Sequence, residues 1–95
     1  MNRIQKAFDE KKKVFIGFVT AGDPNLATTK ELVRAMIKGG AGLIEFGIPF
    51  SDPVAEGEVI QQADMRALAA GTTTDKIFDL VAELREETQV PLVFL

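Results

Sequence analysis

The sequence predicts an α/β fold built from parallel βαβ units. Three observations carry that prediction. Residues 14–20, 42–47 and 90–95 are short apolar runs rich in β-branched and aromatic residues. The segments between them carry apolar residues at helical spacing. Cap and turn residues mark each change of period. Strands separated by helices pair in parallel through right-handed crossovers. The expected order is helix, strand, helix, strand, two helices, strand.

Each element has its own warrant. Ile4, Ala7 and Phe8 share one face of a short amphipathic helix over residues 2–10, and Lys11-Lys12-Lys13 reads as a solvated junction. Val14-Phe15-Ile16-Gly17-Phe18-Val19-Thr20 is nearly all apolar, the pattern of a strand buried on both faces, and Ala21-Gly22-Asp23-Pro24 turns the chain. Thr28 with Glu31 has capping-box spacing, with a cap a few residues earlier as the alternative. Leu32, Val33, Met36 and Ile37 then lie on one helical face, and Gly39-Gly40 ends the helix.

The second run, Gly42-Leu43-Ile44-Glu45-Phe46-Gly47, is a second buried strand, followed by the loop Ile48-Pro49-Phe50-Ser51-Asp52-Pro53. Val59, Ile60, Ala63, Ala67 and Leu68 make a short helix closed by Gly71. Thr72-Thr73-Thr74-Asp75 caps a further helix with Ile77, Leu80, Val81 and Leu84 on its apolar face. Pro91 suits the first residues of a third strand. No linker, low-complexity stretch or second domain interrupts residues 1–95.

Composition narrows the chemistry. The 95 residues contain no Cys and no His, so thiolate nucleophiles, disulfides, thiolate metal sites and imidazole bases are all excluded from this chain. Acid–base work falls to Asp, Glu or Lys. Eleven basic against 14 acidic residues argue against a nucleic-acid partner. No apolar run is long enough to cross a membrane. Met1-Asn2-Arg3-Ile4-Gln5-Lys6 lacks the apolar stretch of a signal peptide, so a cytoplasmic location is expected. No metal site is expected.

Glu45 is the anomaly: a carboxylate at the end of an apolar strand is costly unless hydrogen-bonded or used. Catalytic groups of parallel α/β folds gather at the carboxyl ends of strands. Glu56 follows in the next loop, with Asp52 between, and Asp23 occupies the equivalent loop after the first strand. Two carboxylates over one pocket can divide acid and base roles if their environments differ. The plainer reading makes each acid a cap, an ion-pair partner or a solvated loop residue. It makes Ala21-Gly22-Asp23-Pro24 a turn, and Phe15, Phe18 and Phe46 core. Gly39-Gly40-Ala41-Gly42 precedes a strand rather than a helix, the wrong context for a phosphate loop.

Phe18-Val19-Thr20-Ala21-Gly22-Asp23-Pro24 and the long run from Ile44 through Glu45, Pro49, Asp52, Pro53 and Glu56 to Gly57 resemble the tryptophan synthase α subunit. Val59-Ile60-Gln61 and Arg66-Ala67-Leu68-Ala69-Ala70-Gly71-Thr72-Thr73 extend the resemblance along essentially the whole chain. It implies a TIM (β/α)₈ barrel, of which residues 1–95 would form a partial barrel: three parallel strands with their helices. A complete barrel needs about 250 residues.

The family cleaves indole-3-glycerol phosphate to indole and glyceraldehyde 3-phosphate, in the last steps of tryptophan biosynthesis. Its indole passes to a β subunit that holds the pyridoxal phosphate, so no cofactor is expected on this chain. By resemblance, Glu45 and Glu56 are the catalytic carboxylates. Phe18, Thr20 and Leu95 line the substrate pocket. Pro49, Asp52 and Pro53 belong to the segment that touches the β subunit.

Four positions depart from the family's common residues: Glu56 for Asp, Gly17 and Glu58 for Pro, and Phe46 for an aliphatic residue. The two lost prolines are expected to loosen the backbone locally. If Glu45 points into the barrel, Leu43 and Gly47 do too, while Ile44 and Phe46 face the helices.

The remaining expectations concern what the 95 residues lack. Later barrel strands and the phosphate-binding loops are absent, so this chain alone is expected to have negligible activity. An inner face carrying Ile16, Phe18, Leu43 and Leu95, flanked by unpaired strand edges, is expected to drive self-association. A non-catalytic, self-associating barrel module is the first alternative reading. A fragment of another phosphosugar-binding barrel is the second, disfavoured by the long motif around Glu45.

Overall fold

A computed structural model describes residues 2–10, 13–50 and 57–95. The elements run α1 (Arg3–Glu10), β1 (Ile16–Thr20), α2 (Leu26–Lys38), β2 (Leu43–Gly47), α3 (Glu58–Ala69), α4 (Thr74–Glu87) and β3 (Leu92–Phe94). The strands form one parallel sheet in the order β1-β2-β3, with Ile16 opposite Leu43, Phe18 opposite Glu45, and Glu45 opposite Val93. This is the expected order of elements, with strands one to three residues shorter than the apolar runs.

The core lies between the sheet and its helices. Val19, Ile44 and Phe46 of the strands meet Val33 of α2 and Ile77, Leu80 and Leu84 of α4. Phe46 stacks obliquely on Phe94, ring centroids 6.1 Å apart, and Phe94 meets Phe78 edge-on at 5.4 Å. Pairs of this kind add about 0.5–1.5 kcal/mol beyond the area they bury. On the outer surface α2 and α4 are tied by charge: Arg34 grips Glu87 through Nη2–Oε1 at 2.7 Å and two Nε bonds, and Lys30 pairs with Glu83.

Helix ends follow local chemistry. The cap of α2 is Asn25, not Thr28: Asn25 Oδ1 accepts from the Thr28 N–H at 2.8 Å. Thr28 therefore sits inside the helix, and the alternative of an earlier cap holds. Gly40 takes a φ of +107° just beyond the helix, a conformation only glycine adopts freely. Thr73 caps α4, accepting from the Lys76 N–H at 3.3 Å. Among the described residues no helix is long and apolar enough to cross a membrane.

Three expectations about burial are corrected. The first strand is not buried on both faces: Ile16 and Phe18 are exposed, and Phe15, ahead of the strand, is more so. Among the described residues the helices pack on the opposite face of the sheet, so Phe15 and Phe18 are not core while Phe46 is. Leu43 is buried although it shares the inner side, because it sits on the central strand with neighbours on both flanks. On the helices, Leu32, Val59 and Leu68 are exposed. Of the α3 apolar face only Ala63 and Ala67 are fully covered.

Gly17 and Glu58, where the resemblance leads one to expect proline, each make specific contacts. Met36 Sδ lies 2.7 Å from where a Cβ on Gly17 would stand, and Ile44 Cδ1 lies at 3.3 Å, so side chains fill the space above that glycine. Glu58 is the first residue of α3, where a carboxylate favours the positive end of the helix dipole, and it accepts from Gln62 Nε2 at 3.2 Å.

Candidate active site

The inner face of the sheet is a small grid. Parallel register partners point to the same side, so Phe18, Glu45 and Val93 form one row across the three strands. Ile16 and Leu43 form the row below, toward the amino ends. Thr20 and Gly47 form the row above, toward the carboxyl ends.

The ring of Phe18 lies over Gly47: its Cζ is 2.7 Å from the point a Cβ there would occupy. Gly47 is therefore glycine for want of room, and its bareness lets the aromatic ring lie beside Glu45. Leu95 extends the β3 ladder, its N–H donating to the Phe46 carbonyl at 2.9 Å and its own carbonyl accepting from the Ile48 N–H at 3.2 Å. By alternation it shares the face of Val93.

Glu45 is half-buried, and its carboxylate has no hydrogen-bond or ion-pair partner among the described residues. A carboxylate in that state on a sheet face is held by backbone alone and is available to a ligand. Thr20 is buried at the end of β1, directly below the turn. The structure thus brings Glu45, Phe18 and Thr20 together, with Leu95 at the open edge. It adds Val93, which the sequence reading passed over; its signal was the two-residue spacing from Leu95. Pro49 is half-buried after β2. Asp52, Pro53 and Glu56 lie outside the described residues.

Asp23 does not join this constellation. Its carboxylate is held by Arg66 of α3 in a two-point fork, Nε–Oδ1 2.8 Å and Nη2–Oδ2 3.0 Å, which raises the Arg66 pKa above its ordinary value. The plainer reading of that loop as a turn with an ion-pair partner is the correct one. Among the described residues no three of His, Cys, Asp and Glu come together as metal ligands do. A groove of about 300 Å³ opens between α2 and α4, lined by Lys30, Lys76, Asp79 and Glu83 among others. It lies on the helical side of the molecule, across the sheet from Glu45.

Glu45 is the middle residue of β2, one row short of the carboxyl ends where the sequence reading put it. An apolar-aromatic sheet face carrying one carboxylate with no partner among the described residues suits acid–base chemistry on an aromatic ring. Known proteins agree with that architecture. The family model described as tryptophan synthase alpha chain matches residues 4–95. The tryptophan synthase alpha chain of Alkaliphilus metalliredigens is 56% identical over 94 residues, covering 99% of this chain and 35% of that relative. The Methanoregula boonei counterpart is 53% identical over 96 residues, 100% of this chain and 36% of its own length.

The crystal structure of the Legionella pneumophila tryptophan synthase alpha subunit superposes with a TM-score of 0.94 at 40% identity, covering 99% of this chain and 38% of that one. The chain thus spans little more than a third of the length of the relatives it matches. Its three-stranded sheet is part of a TIM barrel, and it belongs to the tryptophan synthase alpha chain family.

Proposed function

We propose that residues 1–95 contribute the acid–base half of an indole-3-glycerol phosphate cleavage site, as one portion of a single barrel domain. The observation that carries this is Glu45: a carboxylate with no partner among the described residues, in register with Phe18 on the inner face of the sheet. In the retro-aldol cleavage, a proton adds to indole C3. A base takes the proton of the side-chain hydroxyl, and the bond from C3 to the side chain breaks with its electron pair returning to the ring. Indole and glyceraldehyde 3-phosphate leave. Glu45 is placed to move those protons, and the Phe18 face to seat the ring.

Glu56 serves as the second carboxylate, facing the indole N–H and stabilising the positive charge that develops on the ring. Thr20 and Leu95 complete the lining. This chain needs no cofactor for that reaction; pyridoxal phosphate works in the β subunit. A solved relative from Pyrococcus furiosus, 41% identical and matched over 85% of this chain with a TM-score of 0.80, is titled a tryptophan synthase complex. We extend that assembly to this chain through Pro49, Asp52 and Pro53, in the cytoplasm.

By itself the 95-residue chain lacks the groups that anchor the substrate phosphate, and remote binding energy is what positions the reacting centre. An indole-release assay on the chain alone is expected to read background, unchanged by Glu45→Gln. Release that Glu45→Gln abolishes would overturn the claim that the chain is inert.

One observation favours a second reading, a self-associating barrel module without catalysis: Ile16, Phe18 and Leu95 expose their side chains on one open face. Light scattering at dilute concentration is expected to show a dimer or larger assembly that Ile16→Lys disperses. A well-folded monomer would contradict it.

A further inference from the structure

The chain has four arginines, and the structure sorts them into two kinds. Arg34 lies against Glu31 and Glu87, and Arg66 lies against Asp23. Arg3 and Arg85 have no carboxylate partner among the described residues. They face each other across a groove of about 260 Å³, lined also by Asn2, Ile4, Pro91 and Leu92. The groove lies where the start of α1 and the last turn of α4 come against the amino end of β3. Thr20 and Gly47 lie toward the opposite end of the sheet.

Each guanidinium is anchored through one nitrogen. Arg3 Nε donates to Gln89 Oε1 at 3.0 Å, and Arg85 Nη1 donates to the Thr88 carbonyl at 2.8 Å. A guanidinium carries five N–H donors, so most of both forks is unused. Partial burial, and then the charge of Arg3, lowers the Arg85 pKa below its ordinary value. Two cations held together repel, and an anion between them removes that cost.

The backbone adds charge of the same sign. Asn2 caps α1, its Oδ1 accepting from the Gln5 N–H at 2.8 Å. The Arg3 and Ile4 N–H groups come next and have no acceptor within the helix. They form the positive end of the helix dipole, on two residues that line the groove.

We infer that the groove between α1, α4 and β3 is a binding site for a small oxyanion of the phosphate class, gripped by Arg3 and Arg85. Guanidinium forks meet phosphate oxygens through parallel hydrogen bonds, which suits them to this ligand. Size narrows the class. Pockets for larger organic ligands run from about 300 to 1,000 Å³, so this groove suits inorganic phosphate or the head of a phosphomonoester. The site stands apart from the reaction proposed above and does not depend on it.

Inorganic phosphate is the probe, titrated into the 95-residue chain at constant ionic strength with chloride as the balancing ion. The backbone amide resonances of Arg3 and Ile4 and the Nε–H of Arg85 are expected to shift and saturate, with a half-point of about 1–10 mM. Arg3→Gln and Arg85→Gln are each expected to weaken binding about tenfold or more, because each removes charge-assisted hydrogen bonds. Arg3→Lys keeps the charge and loses the fork, so its loss should be smaller. Arg34→Gln should leave the titration unchanged, since Glu31 and Glu87 already match that arginine. Arg3 is exposed, so Arg3→Gln decides the question even where Arg85→Gln disturbs the end of α4. The same saturable shifts are expected in a full-length barrel in which residues 1–95 replace the matching part of the Alkaliphilus metalliredigens relative.

Shifts that rise without saturation, or that chloride alone reproduces, would overturn the inference. So would an equal loss in Arg34→Gln. Binding by the 95-residue chain that vanishes in the full-length barrel would overturn it too, because later residues of the barrel then fill the groove.

Discussion

The two faces of the sheet come from the same short strands and differ completely. On β2, Ile44 and Phe46 point to the helices and are 0% exposed. On the other side, Phe18 keeps 42% of its surface exposed and Leu95 66%. Alternation in a strand assigns side chains to faces, but it does not say whether this chain supplies what covers each face. The helical face is closed by α2 and α4, with ion pairs outside and aromatics within. Among the described residues, the inner face carries the one strand carboxylate, with no partner across from it.

The largest effect that breaks this comparison comes from paired truncations. Phe46→Ala is expected to cost about 3–5 kcal/mol at any chain concentration, since it empties a fully enclosed site, while Phe18→Ala costs under about 1 kcal/mol in the monomer and more where copies of the chain associate. Urea unfolding of the two variants reads the difference directly. Equal losses would mean the inner face is covered in solution, as self-association would do.

A smaller effect tests the cap of α2. Asn25→Ala is expected to lower stability by about 1 kcal/mol, and Thr28→Ala by much less, because Asn25 accepts the capping bond and Thr28 only donates through its backbone. The same urea series distinguishes them.

The smallest is a pH effect on the outer surface. The hydrogen bonds from Arg34 hold the Glu87 carboxyl below its ordinary pKa. A carboxylate lowered on folding adds stability above its unfolded pKa and loses it as the pH falls through the folded one. Melting temperature should therefore fall on acidification below the usual Glu range, and less steeply in Arg34→Gln. Identical acid slopes would show that the pair contributes nothing.

Most of the fold was legible in the sequence because its signals are local. Apolar runs, Gly39-Gly40, Thr73 and the helical spacing of Ile77, Leu80 and Leu84 all act within a few residues of themselves. Glu45 was legible for the same reason, as a charge in an apolar strand. Burial was not, because Ile16 and Phe18 read the same as Val19 until their neighbours are known. Val93 and the Arg66–Asp23 fork were also missed. One needs strand register and the other joins residues 43 apart, and neither leaves a mark in a short window.

The most direct test of the central claim is indole release from indole-3-glycerol phosphate by a full-length barrel in which residues 1–95 replace the matching part of the Alkaliphilus metalliredigens relative, with and without Glu45→Gln. The substitution keeps size and shape and disturbs no internal bond among the described residues. We predict release by the unsubstituted barrel and a fall of about 100- to 10,000-fold in Glu45→Gln, with unfolding unchanged. Release at the same rate in both would contradict Glu45 as the acid–base group.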